Sequence, residues 1–274
     1  MSAHPKSAAA RSPVTVPRLF EMKAAGEKIV MLTAYDAGFA AQCETSGIDV
    51  VLVGDSLGNV VQGHESTLPV TLDNMVYHSA AVKRGLAASL LVADLPFMTY
   101  RDIDTALRSS ARLVAEGGAA MVKLEGADYV LDAIHALDRR QVPVCAHLGL
   151  TPQSVHKFGG YRVQGKTRSA AERLIADAQA VEQAGASLLV LECMPAALAK
   201  TITAALRIPT IGIGAGVDCD GQVLVIYDML GITPGRRPKF SRDFLAGTDS
   251  VADAIKAYAR AVRNRSFPGP EHSF

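Results

Sequence analysis

The sequence predicts an α/β protein with one main domain, a (β/α)8 or TIM barrel. Three observations lead there. Eight short apolar runs recur along the 274 residues. The stretches between several of them carry helical periodicity. The length suits one such barrel, which commonly takes roughly 250 residues.

The strand candidates, in order, are 29–34 (IVMLTA), 49–53 (DVVLV), 88–94 (ASLLVAD), 119–124 (AAMVKL), 142–147 (VPVCAH), 186–191 (ASLLVL), 208–213 (IPTIGI) and 222–226 (QVLVI). Most are apolar on both faces, which is how buried parallel strands read. Helical patterns fill 101–116, 128–139 and 169–184, and a long one at 248–264 closes the chain. Gly117-Gly118 and Gly185 suit helix C-termini. Alternation of strand and helix implies a parallel sheet, and eight units at this length favour closure over an open sheet. Two connections are unusually long, 54–72 after the second strand and 148–168 after the fifth. Long loops commonly carry function, and both follow strand C-termini, where barrels place their active sites.

Composition excludes several classes. With 49% hydrophobic and 20% charged residues the chain has a substantial core. A net charge of +1 gives no nucleic-acid footprint, and Arg236, Arg237 and Lys239 read as a solvated loop. The cysteines at 43, 145, 193 and 219 form no CxxC pair, which argues for free thiols, a cytoplasmic location and no zinc site. No apolar run is long enough to span a membrane. Pro5, Pro13 and Pro17 argue for a flexible N-terminal arm over 1–17. The barrel is then expected over 18–265, with a C-terminal tail over 266–274.

The strongest functional signal is positional. Asp55, Asp94, Lys123 with Glu125, His147 and Glu192 each end or follow an apolar run. In a barrel they would meet at one mouth, where a charge is costly unless paired or bound to a metal. Lys123 and Glu125 are two apart and share one face with Ala119 and Met121. Asp55, Asp94 and Glu125 would repel one another unless a cation sits among them. All-oxygen donors point to Mg²⁺ or Mn²⁺. Each acid has a plainer reading as a helix N-cap. Lys123 offers a charge to a carboxylate or phosphate, or a salt bridge to Glu125 or Asp94. His147 would orient a substrate or hydrogen-bond in the core. Glu192, away from the metal acids, suits a general base or a structural role. The GIGAG segment (Gly212 to Gly216) fits a phosphate site or a tightly packed turn equally well.

Several long segments then resemble the ketopantoate hydroxymethyltransferase family. They are VGDSLGNVVQGHESTLPVT (53–71), LLVADLPFMTY (90–100), MVKLEG (121–126), HLGLTPQSVHKFGGYRVQG (147–165), VLECMP (190–195) and IGIGAGVDCDGQVLV (211–225). The resemblance implies a (β/α)8 barrel that moves a one-carbon unit from 5,10-methylenetetrahydrofolate to 3-methyl-2-oxobutanoate. The product would be 2-dehydropantoate, on the route to pantothenate and coenzyme A. It implies Mg²⁺ on Asp55 and Asp94, with Glu125 helping directly or through water. Asp55, Ser56, Asp94, Lys123 and His147 would form the substrate site, and Glu192 would be the proton acceptor. It also implies a homo-oligomer, a decamer in bacteria. Two rivals remain at this level: a metal-dependent lyase of the phosphoenolpyruvate mutase and isocitrate lyase type, and a non-catalytic anion-binding barrel.

Overall fold

The computed structural model describes residues 11–233, 235 and 237–274. Eight parallel strands close into one barrel in sequence order. They are β1 (Ile29–Thr33), β2 (Val50–Val53), β3 (Leu90–Asp94), β4 (Met121–Glu125), β5 (Val144–Gly149), β6 (Leu188–Glu192), β7 (Thr210–Ile213) and β8 (Gly221–Leu224). Each overlaps an expected run, with its ends displaced by at most two residues. The helical patterns form Ile103–Ala115, Arg168–Gln183 and Val251–Arg263, while 128–139 opens as a 3-10 turn before Leu131–Asp138.

Period-two alternation sorts the strand residues into two cores. Met31, Val50, Leu52, Val92, Met121, Cys145, Leu188, Val190, Ile211 and Val223 point inward and fill the barrel. Val30, Leu32, Val51, Val53, Leu91, Val122, Leu124, Leu189 and Leu191 point outward, against the helices. Ala119 was expected on the inward face but packs in the outer cluster. The strand starts only at Met121, so the alternation does not reach back to it. Tyr258, on the last helix, donates its hydroxyl to Met31 O (2.9 Å) and Gln222 O (3.0 Å) and so clasps the β8–β1 seam. Among the described residues no helix is long and apolar enough to cross a membrane.

The expected arm over 1–17 falls partly on residues 1–10, which lie outside the described residues. From residue 11 onward the chain is held. Arg11 pairs with Asp49, Val14 N donates to Ala88 O, and a helix runs over Val16–Ala25. Pro17 opens this helix rather than breaking it, because the first turn needs no N–H from that position. Leu19 and Met22 then plug the N-terminal end of the barrel against the inner core.

Strand register is what assembles the opposite rim. Asp94 lies beside Lys123, Glu125 beside His147, and Gly149 beside Glu192. Gly149 holds φ +95°, and a Cβ there would meet Glu192 O at 2.2 Å. Only glycine lets the end of β5 lie this close to β6. Gly149→Ala is therefore expected to destabilise the protein by at least the roughly 1–3 kcal/mol of a strained residue. Equilibrium urea unfolding checks this, and an unchanged midpoint would contradict the close-approach argument.

Candidate active site at the barrel mouth

Five of the seven sequence-selected residues come from strand ends and two from the turn after β2. All seven line one cavity of about 100 Å³: Asp55, Ser56, Asp94, Lys123, Glu125, His147 and Glu192. A water needs roughly 10–15 Å³ of such space, so the cavity holds several waters or one small molecule. Its remaining wall is mainly aliphatic, including Leu52, Val190, Ile213 and Val223, with Thr33 and Phe240.

Asp94 is the hub of one side. Its Oδ1 accepts from Lys123 Nζ at 2.7 Å and its Oδ2 accepts from Asp55 N at 3.0 Å. Both side chains of this ion pair are more than nine-tenths buried. Burial pushes the Asp55 carboxyl well above the usual carboxylate range, and Asp94 and Glu125 push the same way. Burial alone would lower the Lys123 ammonium, but Asp94, Glu125 and Asp55 carry it above its ordinary value. Ser56 Oγ lies 2.9 Å from Tyr35 Oη. Asp55 and Ser56 do not cap the short helix Leu57–Val60, which has no side-chain cap bond. The capping reading therefore fails for this pair. The salt-bridge reading of Lys123 holds, alongside its place in the cavity.

His147 holds the other side. Its Nδ1 is 3.3 Å from Glu125 Oε1 and its Nε2 is 3.1 Å from Glu192 Oε2. Neither contact is an aligned hydrogen bond, and both ring nitrogens and Glu125 Oε1 are buried without a hydrogen-bond partner. Burial and the Lys123 charge push the imidazolium down, yet the flanking carboxylates win and hold it up, at about 9. Glu192 is followed by Cys193 at φ +46°, a left-handed turn fixed by Cys193 N to Ile213 O and Gln164 N to Cys193 O, both 2.9 Å.

Charge-based reasoning missed three residues here. Gln153 lies in the loop after β5; its Nε2 donates to Asp55 Oδ2 (2.8 Å) and its backbone N–H to Glu125 Oε2 (2.9 Å). Tyr100 donates to Gln153 Oε1, and Tyr35 supports Ser56. The long loop was the signal for Gln153, but a neutral amide draws no attention by charge. The GIGAG segment resolves as close packing. At Gly214 (φ +60°) a Cβ would sit 3.0 Å from both Phe240 and Phe274. Of the basic cluster, Arg236 lies outside the described residues. Arg237 pairs with Asp243, and Lys239 donates to Ser273 O while covering the Phe274 ring. A second cavity of about 510 Å³ opens above the first, with Ser56, Pro152, Glu192, Val225 and Phe240 common to both.

The donor chemistry fits a hard divalent cation. Four carboxylates face two cationic groups, Lys123 and His147, and Glu125 Oε1 is buried without a hydrogen bond. Among the described residues no group of three or more His, Cys, Asp or Glu side chains is placed to hold a metal ion. Mg²⁺ does not need one, because it usually takes one or two carboxylates and keeps several waters.

A cluster of this kind at the strand C-termini defines a (β/α)8-barrel enzyme. The model of the ketopantoate hydroxymethyltransferase family matches residues 13–270. The 3-methyl-2-oxobutanoate hydroxymethyltransferase of Paraburkholderia phymatum is 57% identical over 264 residues, covering 96% of this chain and 97% of the relative. The corresponding enzyme 1 of Burkholderia ambifaria is 58% identical, with the same coverage. The chain belongs to the ketopantoate hydroxymethyltransferase family and is an enzyme of the transferase class. The fold is shared more widely. A phosphonopyruvate hydrolase structure superposes with a TM-score of 0.59 at 13% identity, covering 92% of this chain and 96% of that one. A 2,3-dimethylmalate lyase of the PEP mutase/isocitrate lyase superfamily gives 0.56 at 16%, covering 79% and 81%. At such identities the likeness is one of fold alone.

His147 yields a pH prediction. The folded state binds its proton more tightly than the unfolded state, so its stabilisation is full below the ordinary value of 6.5 and is lost as pH rises through about 9. In metal-free protein, the stability gap between wild type and His147→Gln should be widest at pH 6 and shrink towards pH 9.5. Urea unfolding at several pH values measures it; a constant gap would contradict a protonated His147.

Proposed function

We propose that the chain transfers a hydroxymethyl unit from 5,10-methylenetetrahydrofolate to 3-methyl-2-oxobutanoate, giving 2-dehydropantoate in pantothenate biosynthesis, through an enolate. The observation that carries this reading is the division of one small cavity. Asp55, Asp94, Lys123 and Glu125, at the ends of β2, β3 and β4, share its lining with Glu192 of β6 and with the branched aliphatic side chains Leu52, Val190, Ile213 and Val223. A small 2-oxo acid with an isopropyl group matches that division.

In this reading Lys123 and the Ser56 hydroxyl hold the substrate carboxylate, and Leu52, Val190 and Val223 take the branched alkyl end. Asp55 and Asp94 would hold Mg²⁺, with Glu125 acting through water. When bound, the ion supplies Lewis-acid polarisation of the keto group, worth several kcal/mol to a developing enolate. Glu192 accepts the C3 proton, and His147 holds its carboxylate from the Nε2 side. One water hydrolyses the methylene bridge of the donor: both C–N bonds break, the two nitrogens take the water hydrogens as tetrahydrofolate leaves, and the carbon keeps the oxygen as a formaldehyde-level carbonyl. The C3–H electron pair becomes the enolate, whose carbon attacks that carbonyl, and the proton on Glu192 passes to the new alkoxide oxygen. The larger outer cavity, which shares Glu192 and Ser56 with the inner one, is the place for the folate. The long connection 148–168 covers the inner cavity through Pro152 and keeps water from the enolate.

We also place the enzyme in the cytoplasm, in line with four buried free cysteines. A homo-oligomer, a decamer in this reading, would cover exposed apolar side chains such as Tyr77, Phe97, Met98 and Ile103.

Exchange of the substrate C3 proton in D₂O with Mg²⁺ and no folate, followed by NMR, tests the base. The expected result is metal-dependent exchange in wild type that falls by at least roughly a hundredfold in Glu192→Gln, as for loss of a general base. Equal exchange in the variant would remove Glu192 from that role.

A further inference from the structure

Gln153 is a neutral side chain buried among ionisable ones, with 8% of its surface exposed. Every polar atom of its amide is engaged. Tyr100 Oη donates to Oε1 at 2.5 Å, while Nε2 donates to Asp55 Oδ2 at 2.8 Å and to Leu95 O at 3.0 Å. The Leu95 carbonyl can only accept, so it fixes which end of the amide is which. Its backbone N–H donates to Glu125 Oε2 at 2.9 Å. One residue thus grips carboxylates beside two different strands, β2 and β4, from a loop that follows a third.

The segment itself would be anchored by the bond to Leu95 O alone. The second amide hydrogen goes instead to a carboxylate, where a donor decides how the charge is aimed. Tyr100 adds a second support, because without it the amide loses the partner that holds Oε1 away from Asp55.

We propose that Gln153 is a positioning residue for the cation-binding carboxylates, setting Asp55 and Glu125 when the connection 148–168 is seated and itself oriented by Tyr100. This rests on the reading of Asp55 and Asp94 as metal ligands. Gln153 touches no substrate in this account and acts only through the two acids.

The test is calorimetric titration of the full-length protein with Mn²⁺ alone, for wild type, Gln153→Met and Tyr100→Phe, with melting temperature recorded for each. Gln153→Met keeps the volume and the backbone N–H but removes the amide. Its Mn²⁺ Kd should rise roughly tenfold or more, the size of a lost charge-assisted hydrogen bond. Tyr100→Phe should raise it by a smaller factor, roughly threefold, with little change in melting temperature. In turnover assays both variants should need more Mg²⁺ for half-maximal rate, and saturating Mg²⁺ should restore most of kcat. A merely structural loop anchor would lower kcat or stability without this metal rescue. Kd values within twofold of wild type in Gln153→Met would overturn the proposal. If that variant does not fold, an unchanged Kd in Tyr100→Phe would do so. A wild type that binds no Mn²⁺ would sink the metal reading itself, and this inference with it.

Discussion

Burying like charges together is the constraint on which this molecule turns. Asp55, Asp94 and Glu125 lie almost wholly out of water at one end of the barrel. Isolated carboxylates in such a place would protonate or force the site open. Lys123 answers part of that demand by pairing with Asp94, and His147 answers another part by standing between Glu125 and Glu192. The remainder is visible in Asp55, whose carboxyl is driven up by burial and by its acidic neighbours.

The fold supplies the means. Parallel register sets Lys123 beside Asp94 and His147 beside Glu125, so the pairing follows from strand alignment rather than from loop conformation. Gly149 lets β5 and β6 close together at the rim, which brings Glu192 to the imidazole. Loops add what strands cannot reach. Gln153 ties the segment after β5 to acids from β2 and β4, and Phe240 and Phe274 fold onto Gly214 at the outer cavity. The result is an acidic floor beside a wider chamber bounded by loops and the C-terminal segment.

Much of this was legible in the sequence, and the reasons are specific. Doubly buried strands announce themselves as continuous apolar runs, so all eight were readable. A charge at the end of such a run stands out, which exposed Asp55, Asp94, Lys123, Glu125, His147 and Glu192 together. What stayed hidden lacks such contrast. Gln153, Tyr100 and Tyr35 are polar but uncharged, and their partners lie 21 to 98 residues away. Pro17 read as a helix breaker because its value depends on sitting at the first turn, a boundary that periodicity does not fix. Ala119 was misassigned for the same reason, since alternation holds only within the strand.

In the proposed reading the mouth is a cation socket whose acids repel one another until it is filled. Stability of wild type and Asp55→Asn, measured by urea unfolding with and without Mg²⁺, tests it most directly. Without metal, Asp55→Asn should be at least as stable as wild type, because one buried charge is gone. With Mg²⁺ at about a hundred times its Kd, wild type should gain roughly 2.7 kcal/mol and Asp55→Asn much less, reversing the order. If wild type is indifferent to Mg²⁺, or both proteins gain equally, the socket account is wrong.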